Sequence, residues 1–223
     1  ELLRRAAGMF AFGLYDLERR RLFLARDRAG KKPLLYFESP EGLSFASELR
    51  ALFVLEPRAR ALDPAGLDAY LALKFTPSPR TLLEGVRRLP PAHYLESDGR
   101  GAARLERYWR PWPASPEAAA ASPAGSRDGA WAWQQRLATA FDSAVRRRLV
   151  SDVPVCVFLS GGIDSSLMVD SLTRAGASGI KTYSIGYKDL PAYNEFEYSR
   201  RVAERLPLRY EELLLESGEA REL

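Results

Sequence analysis

Residues 111–129 are built almost wholly from proline, alanine, serine and glycine, with almost nothing to bury after Trp112. Such a stretch cannot recover the entropy lost on ordering, so it reads as a flexible linker. The rest of the 223-residue chain must then fold as two bodies, residues 1–110 and residues 130–223. Each is long enough for a core of its own. No internal repeat is visible, and the hydrophobic patterning differs on the two sides of the linker.

Residues 1–110 read as hairpins interrupted by short helices. Residues 9–15 and 22–25 are apolar runs joined by a charged turn at 16–21, which predicts a hairpin with one buried strand. Residues 34–37 and 43–46 flank Ser39-Pro40-Glu41-Gly42 and predict a second hairpin. Ser47 is placed to cap a short helix that Pro57 stops. Asp63-Pro64 opens another helix, because Asp accepts from orphan amides and proline needs no N–H at the first position. Leu67, Tyr70, Leu71 and Lys74 share one side of it, and residues 76–79 end it. A last hairpin is expected across the turn Ser97-Asp98-Gly99.

Residues 130–223 alternate helix and strand instead. Trp133, Leu137, Phe141, Val145 and Leu149 recur every fourth residue and form the apolar stripe of a helix over 130–150. Residues 153–159 are a continuous apolar run, as expected of a parallel strand covered on both faces. A helix over 165–174, a strand over 181–185, a helix over 194–206 and a strand over 209–215 follow. That order implies a doubly wound α/β layer.

Charge and cysteine content narrow the functional classes. The 33 basic residues, nearly all Arg, are interleaved with 29 acids. That balance describes a mixed, solvated surface better than a nucleic-acid footprint. No run approaches the ~18 apolar residues of a membrane span. The first residues show no secretory signal, and the single Cys156 cannot form an internal disulfide. Both point to a reducing, cytoplasmic setting.

Chemistry concentrates in Ser160-Gly161-Gly162-Ile163-Asp164-Ser165-Ser166, set between an apolar strand and a helix. Ligands bind at the carboxyl ends of parallel strands, and the amides and dipole of the following helix favour an anion there. Two glycines allow a sharp turn and close approach to phosphate, with Gly162 expected to need the angle that only glycine adopts cheaply. The hydroxyls of Ser160, Ser165 and Ser166 add donors. No Lys follows the glycines, so this is not the common Gly-Lys-Ser/Thr phosphate loop, and it lacks the three-glycine dinucleotide spacing.

The segment resembles the Ser-Gly-Gly-x-Asp-Ser pyrophosphate loop of enzymes that cleave ATP to AMP and pyrophosphate. Ser151-Asp152-Val153-Pro154 before it is similar to the asparagine synthetase branch. The first half agrees through Gly8-Met9-Phe10-Ala11-Phe12-Gly13-Leu14-Tyr15-Asp16 and Arg26-Asp27-Arg28-Ala29-Gly30-Lys31-Lys32-Pro33-Leu34. Phe45-Ala46-Ser47-Glu48-Leu49-Arg50-Ala51-Leu52 and Tyr108-Trp109 resemble the same family's glutaminase domain.

The resemblance to glutamine-hydrolysing asparagine synthetases implies a fold and a partition. Residues 1–110 would be the later part of a four-layer αββα glutaminase domain of the N-terminal-nucleophile type. Residues 130–223 would open a doubly wound ATP-pyrophosphatase domain. ATP and Mg2+ are the implied cofactors, and aspartate and glutamine the substrates, with no nucleic acid or membrane partner and a homodimer left open. Ser160, Gly161, Gly162, Asp164, Ser165 and Ser166 would bind pyrophosphate, while Leu159 and Ile185 line the adenosine pocket. Asp164 would either hold the loop or help place Mg2+. Relatives making other amides, including β-lactam ring closure and cell-envelope amidation, and a degenerate nucleotide-binding regulator share the implied chemistry or loop.

The family's glutaminase nucleophile is a Cys at the mature N-terminus, and this chain begins at Glu1, so an internal stretch of a longer protein is expected, with no catalytic nucleophile in it. Cys156 stands where the family usually has Gly and is expected as a small buried hydrophobe. His93, the one histidine, is expected to pack at a strand entrance.

Overall fold

The computed structural model describes residues 1–99, 103–112, 127–177 and 179–216. They belong to two compact units, Glu1–Ala121 and Ser122–Leu223. Most of the expected 111–129 linker lies outside the described residues.

A short helix, α1 (Leu2–Arg5), precedes the sheets of the first unit. Strand β1 (Ala11–Asp16) pairs antiparallel with β2 (Arg21–Arg26), and β2 with β6 (His93–Ser97). Strand β7 (Arg104–Arg107) completes the sheet beside β6. A second sheet has β3 (Leu35–Ser39) between β4 (Gly42–Ala46) and β5 (Val86–Arg88). The hairpins are those the apolar runs predict. Strand β5 is new, because three residues are too few to show a period of two.

The two sheets share a core. Leu24 of β2 sits opposite Leu95 of β6 in register, so alternation sends both to one face, where Leu34, Tyr36 and Leu89 meet them. On the other side of the second sheet, α2 (Leu49–Leu55) buries Leu52 against Leu35, Ala59 and Val86. Each such leucine removes apolar surface worth ~1.5–3 kcal/mol. The unit is an α–β–β stack.

Between β2 and β3 the chain turns around one carboxylate. Asp27, 1% exposed, accepts from the backbone N–H of Ala29, Lys31, Lys32 and Phe10 at 3.0–3.3 Å. Burial opposes its ionisation, but the four donors outweigh it and hold the carboxyl below its ordinary range. Arg26 beside it donates to the carbonyls of Gly30, Lys32 and Leu89. Lys31 and Lys32 thus owe their place to backbone amides. His93 opens β6 with Nδ1 2.7 Å from the Pro91 carbonyl, as expected of a strand entrance.

Helix α3 (Pro64–Leu73) starts where Asp63-Pro64 predicts, with Asp63 accepting from the Ala65 amide. Its packed side is not the expected one. Leu67, Tyr70 and Leu71 are exposed, and Gly66 is buried against residues 81 and 82. A Cβ at Gly66 would run into the Thr81 carbonyl oxygen. Absence of a side chain decides the contact.

In the second unit β9 (Lys181–Tyr187) lies between β8 (Cys156–Phe158) and β10 (Arg209–Leu215), all parallel. Helices α4 (Arg127–Arg147), α5 (Ile163–Arg174) and α6 (Phe196–Ala203) alternate with them. Val145 of α4, Val157 and Leu159 from the first strand, and Val169 and Leu172 of α5 form the core. The α4 stripe packs only in its later part: Phe141, Val145 and Leu149 join that core, while Trp133 and Leu137 are exposed.

Strand β8 corrects two expectations. It is shorter than the apolar run, since Pro154 has no N–H for a ladder and Val153 turns back to the Ser151 hydroxyl. Among the described residues it is also covered on one face only. Val157 points into the core, while Cys156 and Phe158 alternate to the other face and are exposed. Cys156 is therefore not the buried hydrophobe its neighbours suggest. No helix among the described residues is long and apolar enough to cross a membrane.

Candidate functional site

The parallel sheet makes the site by stopping. Leu159, 1% exposed, extends the pairing of β8 by donating its N–H to the Tyr183 carbonyl at 2.8 Å. Ser184 on β9 donates its hydroxyl to the Leu159 carbonyl. The chain then leaves the sheet through Ser160, Gly161 and Gly162 and enters α5 at Ile163.

The two glycines have different reasons to be there. Gly161 has φ +79, a left-handed angle that costs an L side chain about 1–2 kcal/mol. A Cβ on it would lie 2.6 Å from the backbone N of Ser199 in α6. Gly162, the N-cap of α5, has φ −68, and a Cβ there would meet only the Ser160 hydroxyl at 3.3 Å. The angle reserved for glycine belongs to Gly161, not to Gly162 as expected. Position relative to α6, thirty-odd residues away in sequence, settles this.

The loop holds its own shape. Gly162 N–H donates to the Ser160 hydroxyl at 3.3 Å, Ser165 Oγ lies 3.1 Å from Ser160 Oγ, and Ser165 Oγ donates to the Gly162 carbonyl at 3.2 Å. Ser166 N–H starts the helical ladder on the same carbonyl. The next amides, of Ile163, Asp164 and Ser165, open α5 with the positive end of its dipole. Asp164 is exposed in that first turn, and its carboxylate has no partner among the described residues. Ser166 is placed differently. Its Oγ is buried without a hydrogen-bond partner, and the residue lines a separate groove with Leu167, Asp170, Arg201 and Arg205.

Leu159, Ser160 and Ile185 come together in one cleft of about 180 Å³ at the ends of β8 and β9, walled by Phe158, Tyr183 and Phe196. Glu195 also reaches it and was not singled out by sequence reasoning. The signal available was its place at the opening of the helix after β9. Behind the loop, Ser199 Oγ lies 2.7 Å from the Tyr210 hydroxyl, which donates to Glu212 at 2.9 Å. Arg200 forks onto Glu212 with two bonds of 2.6 Å and holds its carboxyl below the ordinary range. This network ties α6 to β10, so the surface against Gly161 is stiff.

No group of three or more His, Cys, Asp or Glu among the described residues could hold a metal by itself. A loop of free amides beside the exposed Asp164 carboxylate instead suits a polyphosphate with a divalent cation. Such a cation takes one or two carboxylates and completes its shell with phosphate oxygens and water.

Comparison with known proteins bears on both units. A glutamine amidotransferase domain model matches residues 1–109, and an asparagine synthase model matches residues 136–223. Together they define a chain that joins an amidotransferase region to a synthetase region. The chain belongs to the family of glutamine-hydrolysing asparagine synthetases. It is 35% identical over 191 residues to asparagine synthetase [glutamine-hydrolyzing] 3 of Bacillus subtilis, covering 83% of this chain and 29% of that protein. A putative asparagine synthetase of Mycobacterium tuberculosis is 33% identical, over 94% of this chain and 31% of its own length. A protein named Amidase chry2, from Gibberella zeae, is 33% identical over 89% of this chain and 30% of its own. The chain spans about a third of the length of these relatives.

Proposed function

We propose that this chain carries the ATP-binding loop of a glutamine-dependent asparagine synthetase. The observation that carries the reading is the strand–turn–helix at residues 159–166, with Gly161 left-handed and the α5 amides free, inside the region similar to asparagine synthase. Residues 1–110 belong on this reading to a glutaminase domain of αββα type, residues 111–129 to a linker, and residues 130–223 to an ATP-pyrophosphatase domain. The nucleophile for glutamine hydrolysis is assigned to none of the residues present.

The chemistry follows from the weakness of a carboxylate as an electrophile. An oxygen of the aspartate side-chain carboxylate attacks the α-phosphorus of ATP, the bond to the bridging oxygen breaks, and pyrophosphate leaves with that electron pair. The product is an acyl-adenylate. Ammonia released from glutamine then attacks the acyl carbon, AMP leaves, and the amide of asparagine remains. Exclusion of water protects the intermediate from hydrolysis.

This chain's own contribution is to the leaving group. The amides opening α5 bind the β- and γ-phosphates, so charge accumulating on pyrophosphate meets donors already in place, and the hydroxyls of Ser160 and Ser165 leave their bonds within the loop to join them. Leu159 and Ile185 hold the base. Ser166 contributes through its backbone, whose N–H starts the α5 ladder on the Gly162 carbonyl, because the residue lines the separate groove. Asp164 is the residue that would hold Mg2+, which when bound supplies neutralisation of the polyphosphate charge. A reducing cytoplasm suits a chain whose only cysteine, Cys156, is exposed and unpaired.

The test is formation of asparagine, AMP and pyrophosphate from aspartate, glutamine and ATP by the protein in its natural reading frame. Aspartate-dependent pyrophosphate release in a one-to-one ratio to AMP supports the reading. Release that depends on another carboxylic acid and ignores aspartate removes aspartate as the acceptor.

A further inference from the structure

In the cleft at the ends of β8 and β9 the walls are apolar or hydroxyl-bearing except at one place, Glu195. Its backbone is held from both sides. The Asn194 amide before it grips β9 twice, accepting from Tyr187 N–H at 2.7 Å and donating to the Tyr187 carbonyl at 3.1 Å. Phe196 after it closes over Gly186, where a Cβ would lie 2.5 Å from the ring. The Glu195 carbonyl is used as well, accepting from Tyr198 N–H and Ser199 N–H at the start of α6. Its carboxylate, by contrast, has no hydrogen bond or ion pair among the described residues. Glu195 is exposed, so its carboxylate is free to exchange water for a donor bound in the cleft.

Its place along the cleft selects the donor. Glu195 is the N-cap of α6, and Tyr198 and Ser199, one turn on, are the residues against which Gly161 is packed. Glu195 thus shares one cleft with Ser160 of the phosphate loop and with Leu159 and Ile185. With phosphates on the loop and the base against Leu159 and Ile185, a nucleotide has its ribose between them. A carboxylate accepts from both O–H groups of a vicinal diol, as the acid of dinucleotide-binding doubly wound sheets does from a ribose hydroxyl. Strand β9 is the second of this sheet in chain order.

We propose that Glu195 accepts hydrogen bonds from the 2′- and 3′-hydroxyls of the bound nucleotide and so selects a ribonucleotide. This rests on the ATP reading above. The test measures equilibrium binding of ATP and of 2′,3′-dideoxy-ATP, each with Mg2+, to the full protein. The same measurements are made on Glu195→Ala and on the shape-keeping Glu195→Met, with thermal melting to confirm folding. The unchanged protein should bind ATP roughly tenfold or more tightly than the dideoxy form, the scale of hydrogen bonds to a charged acceptor. Both variants should bind the two nucleotides alike, at the affinity the dideoxy form has for the unchanged protein. Discrimination that survives in a folded variant overturns the inference, as does an equal loss for both nucleotides, which would put the carboxylate on the base or the metal. An unchanged protein that binds ATP but does not discriminate sinks this inference alone. One that binds no ATP sinks the ATP reading and this inference with it.

Discussion

Gly161 and Ser199 approach so closely that a Cβ on the glycine would lie 2.6 Å from the serine's backbone nitrogen. The loop that leaves β8 and the first turn of α6 are thus one packed object. Neither side can yield cheaply: Ser199 is fully buried and hydrogen-bonded to Tyr210 and the Phe196 carbonyl.

A glycine contrast follows from that contact. Gly161→Ala adds a methyl group into backbone at a left-handed angle, so the loop or α6 must shift. It should cost at least tenfold in ATP affinity, a figure of about 1.4 kcal/mol. Gly162→Ala, at φ −68 with only the Ser160 hydroxyl nearby, should cost much less. Calorimetric titration of both with ATP checks the order. Equal losses, or the reverse order, would contradict the assignment of the special angle.

Asp164 distinguishes two roles by sign. Its carboxylate has no hydrogen bond or ion pair among the described residues, so no polar bond from it ties the loop together. Asp164→Asn should therefore leave ATP binding without divalent cation unchanged or slightly tighter, because one negative charge near the phosphates is gone. With Mg2+ present, the variant should lose the gain in affinity that the unchanged protein shows. Titrations in EDTA and in Mg2+ read the two arms. Loss in both arms would mean that Asp164 shapes the turn.

Asp27 makes stability depend on pH. Its folded carboxyl titrates below its unfolded value, against burial and by virtue of four backbone donors. Its contribution is therefore complete above the unfolded carboxylate value near 4 and fades as pH falls through the folded value. Asp27→Asn, which cannot accept from all four donors, should destabilise by about 2–4 kcal/mol at pH 7. The gap between variant and parent in urea unfolding should narrow steadily below pH 4. A gap that stays constant down to pH 2 would rule out an ionised Asp27 as its source.

Behind the loop, Tyr210→Phe removes the hydroxyl that bridges Ser199 and Glu212. Ser199 can then donate its hydroxyl to the Phe196 carbonyl, 3.1 Å away, so the loss should be modest, about 0.5–1.5 kcal/mol of stability. ATP affinity should fall with it, because α6 is the surface that Gly161 leans on. Unfolding and binding measured on one preparation check both. Unchanged affinity in a destabilised variant would show that the network does not reach the loop.

Much of this architecture was legible from local pattern. The apolar runs around residues 16–21 and 39–42 gave their hairpins, Asp63-Pro64 its helix start, and the order of strand and helix after residue 130 its parallel sheet. Those signals act over one turn or one strand, where period and capping chemistry are enough. The Ser160–Ser166 motif likewise declared a strand-to-helix turn, because glycine and hydroxyl placement are themselves local.

What tertiary structure alone decided is which side of each element meets another. Gly161 rather than Gly162 takes the left-handed angle because α6 lies against it. Helix α3 buries Gly66 rather than its Leu67 side because the Thr81 carbonyl comes that close. Cys156 and Phe158 stand on a face of β8 that no described residue covers, and an apolar run cannot announce how many faces will be covered. Glu195 joins Leu159 and Ile185 at one cleft through the parallel pairing of β8 with β9 and the packing of Phe196 on Gly186. Sequence determines the periods and turns of the elements. Contacts between residues far apart along the chain, set only when the elements pack, determine the site.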